Sequence, residues 1–569
     1  MKRTPRTVAV LLIAGLATGF AFAGTKDEVS DVFVSEVVVP YVLNVDLRTL
    51  PPATVWQPGD PIEVIPEQSF SDRGTEADPN WVDPALQLPG EGVDSFSTQL
   101  LVSFPGLPFG GGTPPDTVGD VGPDHYIGMT NSSRFQIWDK LGNVIVPIIA
   151  LNSLWDGGSS SCTDGDGDPI VRYDALADRW IMTEFDVTGN TFCWYVSQGP
   201  DPVTGGWFVY DFSAPSFPDY PQYGVWSTGY FVGTFESPNL GIYAFDRNAM
   251  LVGSPATFQR FTIPQLNGSA SRVTRILPSD ADTMNVAANN TFARTVDATQ
   301  DNSDPIDRIE LWEYDVDFVT PPNSTFSHVQ DLIPDDFTLL PCSPGVRDCV
   351  PQPGTTNLID ALFNRAMRRL QYRDFGTHET MVTTQVVDAG GGIAGKRWYE
   401  MRRTPAPEGA GWTIHQQGTY SPDDVYRFMG SIAMDAEGNM ALGYSASDGI
   451  DVLPSIRATA RRFDDPLGEM TMDELLIKEG EGVQTTSQRW GDYASMNVDP
   501  ADGLTFWYTS EIVQPSGQWI THVGSFRLDV IFTDGFEDGN TDAWGQVVSG
   551  LTLDAPVRSR PGAAGLSSN

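Results

Sequence analysis

Four stretches of this chain write the same short phrase: Ile170–Phe185 (IVRYDALADRWIMTEF), Ile432–Ser445 (IAMDAEGNMALGYS), Met496–Ser510 (MNVDPADGLTFWYTS) and Thr117–Thr130 (TVGDVGPDHYIGMT). Each runs an alternating apolar strand into Asp174, Asp435, Asp499 or Asp120, then a few turn residues, then a second strand. A hairpin repeated at intervals above 40 residues cannot bury both its faces alone. It has to stack on its neighbours, and the economical closed solution is a ring, the β-propeller.

The aspartates set a ruler. Asp120 to Asp174 is 54 residues, Asp435 to Asp499 is 64, and the 261 residues between Asp174 and Asp435 leave room for three more units. Strand pairs occur there: Trp226–Phe235 with Gly241–Arg247, Thr283–Ala288 with Ile309–Phe318, and His378–Asp388 with Lys396–Arg403. The expectation is an all-β, seven-bladed β-propeller over residues 116–530. Gly 56, Pro 43 and 11% aromatic residues suit short strands joined by many turns. One segment reads otherwise: Asn357 is placed to cap a helix over Leu358–Tyr372, with Arg365, Arg368 and Arg369 near its other face, as an anion or glycan contact or, more often in such helices, a solvated face lying over a blade.

The N-terminus carries Lys2, Arg3 and Arg6, an apolar run over Val8–Phe20, then Ala21-Phe22-Ala23, the order of a secretory signal peptide cleaved after residue 23. Residues 24–115 read as an extended Pro- and Gly-rich leader, within which Val32–Val45 can add a strand to a sheet edge. The formal charge of −40 repels phosphate and anionic lipid, which argues against nucleic acid and membrane surfaces as partners. Four cysteines in an exported chain favour disulfides, and the local pairings Cys162–Cys193 and Cys342–Cys349 are expected.

The strings GDPIVRYDALADRW (167–180), PDYPQYGVW (218–226), RNAML (247–251), FMGSIAMDAEGNMALGYSAS (428–447) and RWGDYASMNVDPADGLTFWYTSE (489–511) resemble a group of secreted bacterial β-propeller-like repeat proteins. Ile531–Trp544 (IFTDGFEDGNTDAW) is similar to a short tail found at the end of many exported bacterial proteins, and residues 531–569 form a separate tail. These resemblances imply architecture and export. They bring no site residues with them.

In a propeller, residues just before each inner strand crowd at one mouth of the axial channel. That geometry selects Asp116, Asp219, Tyr220, Tyr223, Asp280, Asp282, His378, Glu379, Arg427, Arg489, Asp492 and Tyr493. Asp492, Glu379 and His378 are the candidates for acid–base work, with Arg489, Arg427, Tyr493 and Tyr220 as ligand-binding side chains. Aspartates before strands also serve as turn formers, and Arg beside Trp in RWGDY also suits a tie between blades. Asp164, Asp166 and Asp168 alternate as in the start of a calcium loop, then Pro169 and Ala175 stand where that loop needs Gly and Glu. Ca²⁺ is the one metal they suggest, and no cofactor is required.

No GxSxG, HExxH, CxxC or glycine-rich phosphate loop occurs, and the histidines at 125, 328, 378, 415 and 522 show no ligand spacing. The reading is an exported module that binds a glycan or other extracellular polymer. Its rivals are a glycan-active hydrolase or lyase using the same mouth, and a structural or adhesive cell-surface protein. A deep polar mouth favours the first two and a mouth plugged by aromatics the third.

Overall fold

The computed structural model describes residues 29–65, 80–87, 96–155, 160–266, 274–283, 289–298, 306–339, 347–404 and 411–528. The expected signal peptide, the 531–569 tail, most of Thr283–Ala288 and Cys342 lie outside them. All four repeated phrases are antiparallel hairpins, each the first two strands of a four-stranded meander. Asp174 and Asp435 close their hairpins as the phrase requires, accepting backbone N–H groups of Leu176 and Ala177, and of Glu437 and Asn439. Asp499 does the same for Ala501. Asp120 departs from the pattern. It pairs with Ile127 inside the strand, and the turn comes later, at Gly122.

The arrangement is all-β and propeller-like. Five separate meanders begin with the strands Val118–Val121, Gly167–Asp174, Asp219–Val225, Tyr426–Met434 and Ser495–Val498. An eight-stranded sheet holds two further meanders, which start at Leu277–Ala281 and Ala366–Asp374 and are joined by parallel pairing of those two strands. Each starting strand touches that of the next meander, and the last, Ser495–Val498, returns to Val118–Val121. These inner strands are buried along almost their whole length. With a neighbour on each face, they read as continuous buried runs rather than alternating ones. Aromatic pairs fill the gaps between meanders: Trp194 with Tyr223 at 5.2 Å, Phe231 with Tyr314 at 5.3 Å and Tyr126 with Trp507 at 5.4 Å.

The segment before residue 116 is woven into these sheets. Phe33–Val34 and Tyr41–Leu43, both from Val32–Val45, add to the outer edges of two meanders. Leu100–Pro108 pairs with Trp519–Phe526 and supplies the fourth strand of the last meander. Cys162 and Cys193 form the expected disulfide, Cα–Cα 5.7 Å. Cys349 is disulfide-bonded as well.

The helix expected over 358–372 is not formed. Ile359–Asp360 and Ala366–Asp374 are strands, and Arg365, Arg368 and Arg369 are buried. The apolar spacing that suggested a helical stripe belongs to a strand buried on both faces, where period 2 disappears. Arg369 is held there by Asp280 and Asp282 of the neighbouring inner strand and the residue after it.

Candidate functional site

Because the inner strands close on one another around the axis, their starts form one mouth and their ends another. The upstream mouth gathers several residues selected from sequence. The backbone N–H of Asp492 donates to Asp116 Oδ1 at 2.8 Å, and Asn131 bridges the amide of Asp168 to Asp116 Oδ2. Tyr493 Oη donates to Asp168 Oδ2 at 2.8 Å, and its ring stacks on Tyr220 at 5.0 Å. Tyr220 Oη in turn donates to the carbonyl of Asp492. Arg489 Nη2 donates to Asp492 Oδ1 at 2.9 Å and stands 3.8 Å from Asp360.

This mouth is a plug. Tyr220, Tyr493, Asp116, Asp168, Asp219 and Asp492 are all buried, and Tyr220, Tyr493, Asp116, Asp168 and Asp492 are linked by hydrogen bonds to one another or through Asn131. Burial raises the carboxyls of Asp116 and Asp168 well above the ordinary value, and the nearby carboxylates add to it, Asp492 on Asp116 and Asp116, Asp219 and Asp492 on Asp168. Burial acts on Asp492 too, but Arg489, Arg347 and Arg365 outweigh it and hold that carboxyl below the usual range.

The remaining selections do not join this cluster. Glu379 opens the second strand of its meander and is registered opposite Asp374, the end of an inner strand, so it belongs to the other end of the channel. Sequence reading took Glu379–Asp388 for an inner strand because the true one, Ala366–Asp374, looked helical. The nine-residue inner strand Ala366–Asp374 separates the two mouths by roughly 25–30 Å, which puts Glu379 too far from Asp492 for paired acid–base work. Glu379 is also bonded to Arg403 Nε at 2.6 Å, and His378 stacks on Phe375 beside Thr377. Arg427 is fully buried, bonded to Asp423, Glu474 and the carbonyl of Val425, and lies against Tyr420 of the preceding meander. It ties two meanders together and faces no mouth.

Asp164, Asp166 and Asp168 do not share a centre. Asp166 Oδ2 accepts the amide of Val187, and Asp168 is turned to Tyr493. Among the described residues no group of three or more His, Cys, Asp or Glu side chains is placed to hold a metal ion. The alternating aspartates therefore do not fit a Ca²⁺ site. Asp164 ends a short 3-10 turn, Ser161–Asp164, Asp166 lies between that turn and the strand, and only Asp168 is in the strand, with left-handed backbone (φ 45°), so the three do not alternate along one element.

The downstream mouth is hollow. Where five inner strands end, a cavity of about 360 Å³ is lined by the polar side chains of Asp120, Arg172, Asp282, Arg369, Arg373, Asn497 and Asp499 and by apolar residues such as Val121, Ala175 and Val498. Exposed Pro123 and Pro500 stand at its rim. Arg172 Nη1 donates to Asp120 at 2.6 Å and to Asn497 Oδ1 at 3.0 Å, while Nη2 meets Asp280 at 2.8 Å. Arg369 is held by Asp280 and Asp282, and Gln371 Nε2 donates to Asp282 at 2.6 Å. Burial raises the carboxyl of Asp120 despite Arg172, whereas at Asp282 the Arg369 contact outweighs burial and keeps the group ionised. Of these residues, sequence reading selected Asp280 and Asp282, for the opposite mouth, and gave Arg369 a place on a helix. The signal it passed over was charge inside apolar strands, Arg172 in IVRYD and Arg373 in MRRLQYRD.

No family model matches the chain, and no curated protein matches it. Among solved structures it is similar to the WD40 domain of SCAP from fission yeast, with TM-score 0.34 and 8% identity over 72% of this chain and 95% of that one. A glycoside hydrolase gives TM-score 0.25 and 9% identity over 64% and 89% of the two chains. An endo-arabinase from Bacteroides thetaiotaomicron gives 0.24 and 9% over 65% and 95%. The architecture described above rests on the strand pairing itself.

Proposed function

We propose that this chain is an exported binding module in which a seven-bladed ring presents the downstream cavity to a unit of a glycan or other extracellular polymer. The blade count takes the eight-stranded sheet as two blades meeting at their parallel seam; the circuit of inner-strand contacts supports it. Export is read from the N-terminal signal pattern, and the Cys162–Cys193 disulfide accords with an oxidising compartment.

The cavity carries the reading. It lies at the low end of the roughly 300–1,000 Å³ range of small-ligand sites, so it suits one sugar ring or a chain end. Its walls offer carboxylate, amide and guanidinium groups in alternation, the donors and acceptors that hydroxyls need. The upstream plug of Tyr220 and Tyr493 leaves that end to structure.

One observation favours a glycan-active enzyme as the second reading. Asp120 and Asp282 line the same cavity on either side of Arg172, and their carboxyls are shifted in opposite directions, as an acid and a nucleophile require. Titrating the purified mature protein with a polysaccharide panel while measuring released reducing ends separates the two. Binding without product release is expected. Release that disappears in Asp120→Asn would replace the module by the enzyme, and no binding to any polysaccharide would remove both.

A further inference from the structure

We propose that the downstream cavity accepts a carboxylate-bearing sugar unit, anchored by Arg373. This rests on the glycan-module reading above and names the chemistry of its ligand.

Arg373 lies near the end of the inner strand Ala366–Asp374, is 7% exposed and lines the cavity. Among the described residues its guanidinium makes no hydrogen bond; Nε has no partner, and the facing carboxylate, Asp282, stands 3.8 Å away and is already bonded to Arg369 and Gln371. A buried cation with unused donors in the wall of a cavity is suited to bind an anion there.

Four arginines, 172, 368, 369 and 373, meet four aspartates: 120, 280 and 282, and Asp435, which acts on Arg373 across space while its own oxygens accept from Glu437 and Asn439. Asp499 is taken by Lys140 at 2.6 Å. Arg368, 2% exposed, donates only to the carbonyl of Val171, and its Nε and Nη1 have no partner. Burial and the adjacent Arg172 lower it to about 10. The charges thus balance in number while the donors of Arg373 stay unused. A single carboxylate matches that planar guanidinium fork, whereas a phosphate dianion would bring a second negative charge against Asp120 and Asp282. These two carboxylates and Asn497 are in turn suited to hydroxyls, which favours a sugar acid over a plain organic acid.

Calorimetric titration of the purified mature protein tests this with glucuronate and galacturonate against glucose and galactose, with acetate and inorganic phosphate as controls. The acids are expected to bind, and the neutral sugars roughly 10- to 100-fold more weakly, the discrimination that a charge-assisted hydrogen-bond pair provides. Arg373→Gln should lose a similar factor with an unchanged melting temperature, and Arg373→Lys should recover part of it. Equal affinity for acids and neutral sugars, unchanged binding in Arg373→Gln, or tighter binding of phosphate would each overturn the proposal. Acetate binding as tightly as the uronates would support the anion site and sink the glycan reading. Neutral sugars binding while uronates do not would leave the glycan reading standing and remove the carboxylate.

Discussion

Arg427 and Arg373 sit on inner strands of adjacent meanders and are both buried, yet their surroundings assign them opposite tasks. Arg427 Nη1 meets Asp423 and Val425, and its Nε meets Glu474 at 2.9 Å. Removing one side of a buried pair leaves the other uncompensated, so Arg427→Ala should cost roughly 3 kcal/mol in chemical denaturation. It should leave ligand affinity unaltered. Arg489→Ala belongs with it: its partner Asp492 is buried in the upstream plug, so stability should fall while binding at the far mouth persists. A ligand affinity lost at constant stability in Arg489→Ala would return the site to the upstream end. RWGDY suits a buried tie for Arg489, whereas Arg427 reads from sequence as a ligand-binding side chain at the mouth. Each has a local partner, Asp423 for Arg427 and Asp492 for Arg489, and a remote one that local sequence does not disclose, Glu474 for Arg427 and Asp360 for Arg489.

The same scale sets a pH dependence. Burial raises the carboxyls of Glu184 and Glu511 from 4.5 to about 7. Their native forms hold a proton that the unfolded chain releases from about pH 4.5 upward. The stability they contribute is full below that pH and is lost as pH rises through 7, by about 3 kcal/mol for each group as an order of magnitude. Melting temperature should therefore fall between pH 4.5 and 7, and Glu184→Gln should flatten the slope. A melting temperature that climbs across this window would contradict the assignment.

At the scale of elements, hairpins were legible because the turn aspartate acts locally: Asp174, Asp435 and Asp499 each accept amides within a few residues. Inner strands were harder. Several are preceded or interrupted by a residue with left-handed backbone, Asp116 (φ 45°), Asp168 (45°), Tyr220 (51°) and Met429 (41°). Asp tolerates that region, whereas Tyr and Met are held there by tertiary packing, so no local signal marks the start. Ala366–Asp374 was missed for a related reason, since its arginines suit a solvated helix until the facing aspartates are known. The Cys162–Cys193 bridge connects the segment before one inner strand to the third strand of the same meander and closes a 31-residue separation. Chain entropy gives it about 3–4 kcal/mol. The double variant Cys162→Ala, Cys193→Ala should lose an amount of that order and keep its ligand affinity; unchanged stability would show that the hydrogen bonds of the meander suffice.

For the whole molecule, closure depends on a segment that composition hid. Leu100–Pro108 (LLVSFPGLP) carries Pro105 and Pro108, which argue against a strand in the interior of a sheet but are tolerated at an edge. Here it is the edge strand of the last meander, paired with Trp519–Phe526. It also bridges to the first meander, since Phe104 packs edge-on against Tyr126 at 6.2 Å and tilted against Trp138 at 5.7 Å. Leu107, 1% exposed, belongs to the same cluster. Chain segments from both ends of the ring thus meet in one core, and an open ring would leave that core and the inner-strand circuit unsupported. Phe104→Ala should cost about 3–5 kcal/mol through the cavity it leaves. A chain beginning at residue 110 should lose far more, unfolding at lower temperature and over a broader range as the first and last meanders separate. Adding a peptide of residues 96–109 in trans should restore part of the loss by refilling the edge. If the shortened chain melts as sharply and at the same temperature as the full one, closure does not depend on this strand, and the ring is held by its inner-strand contacts alone.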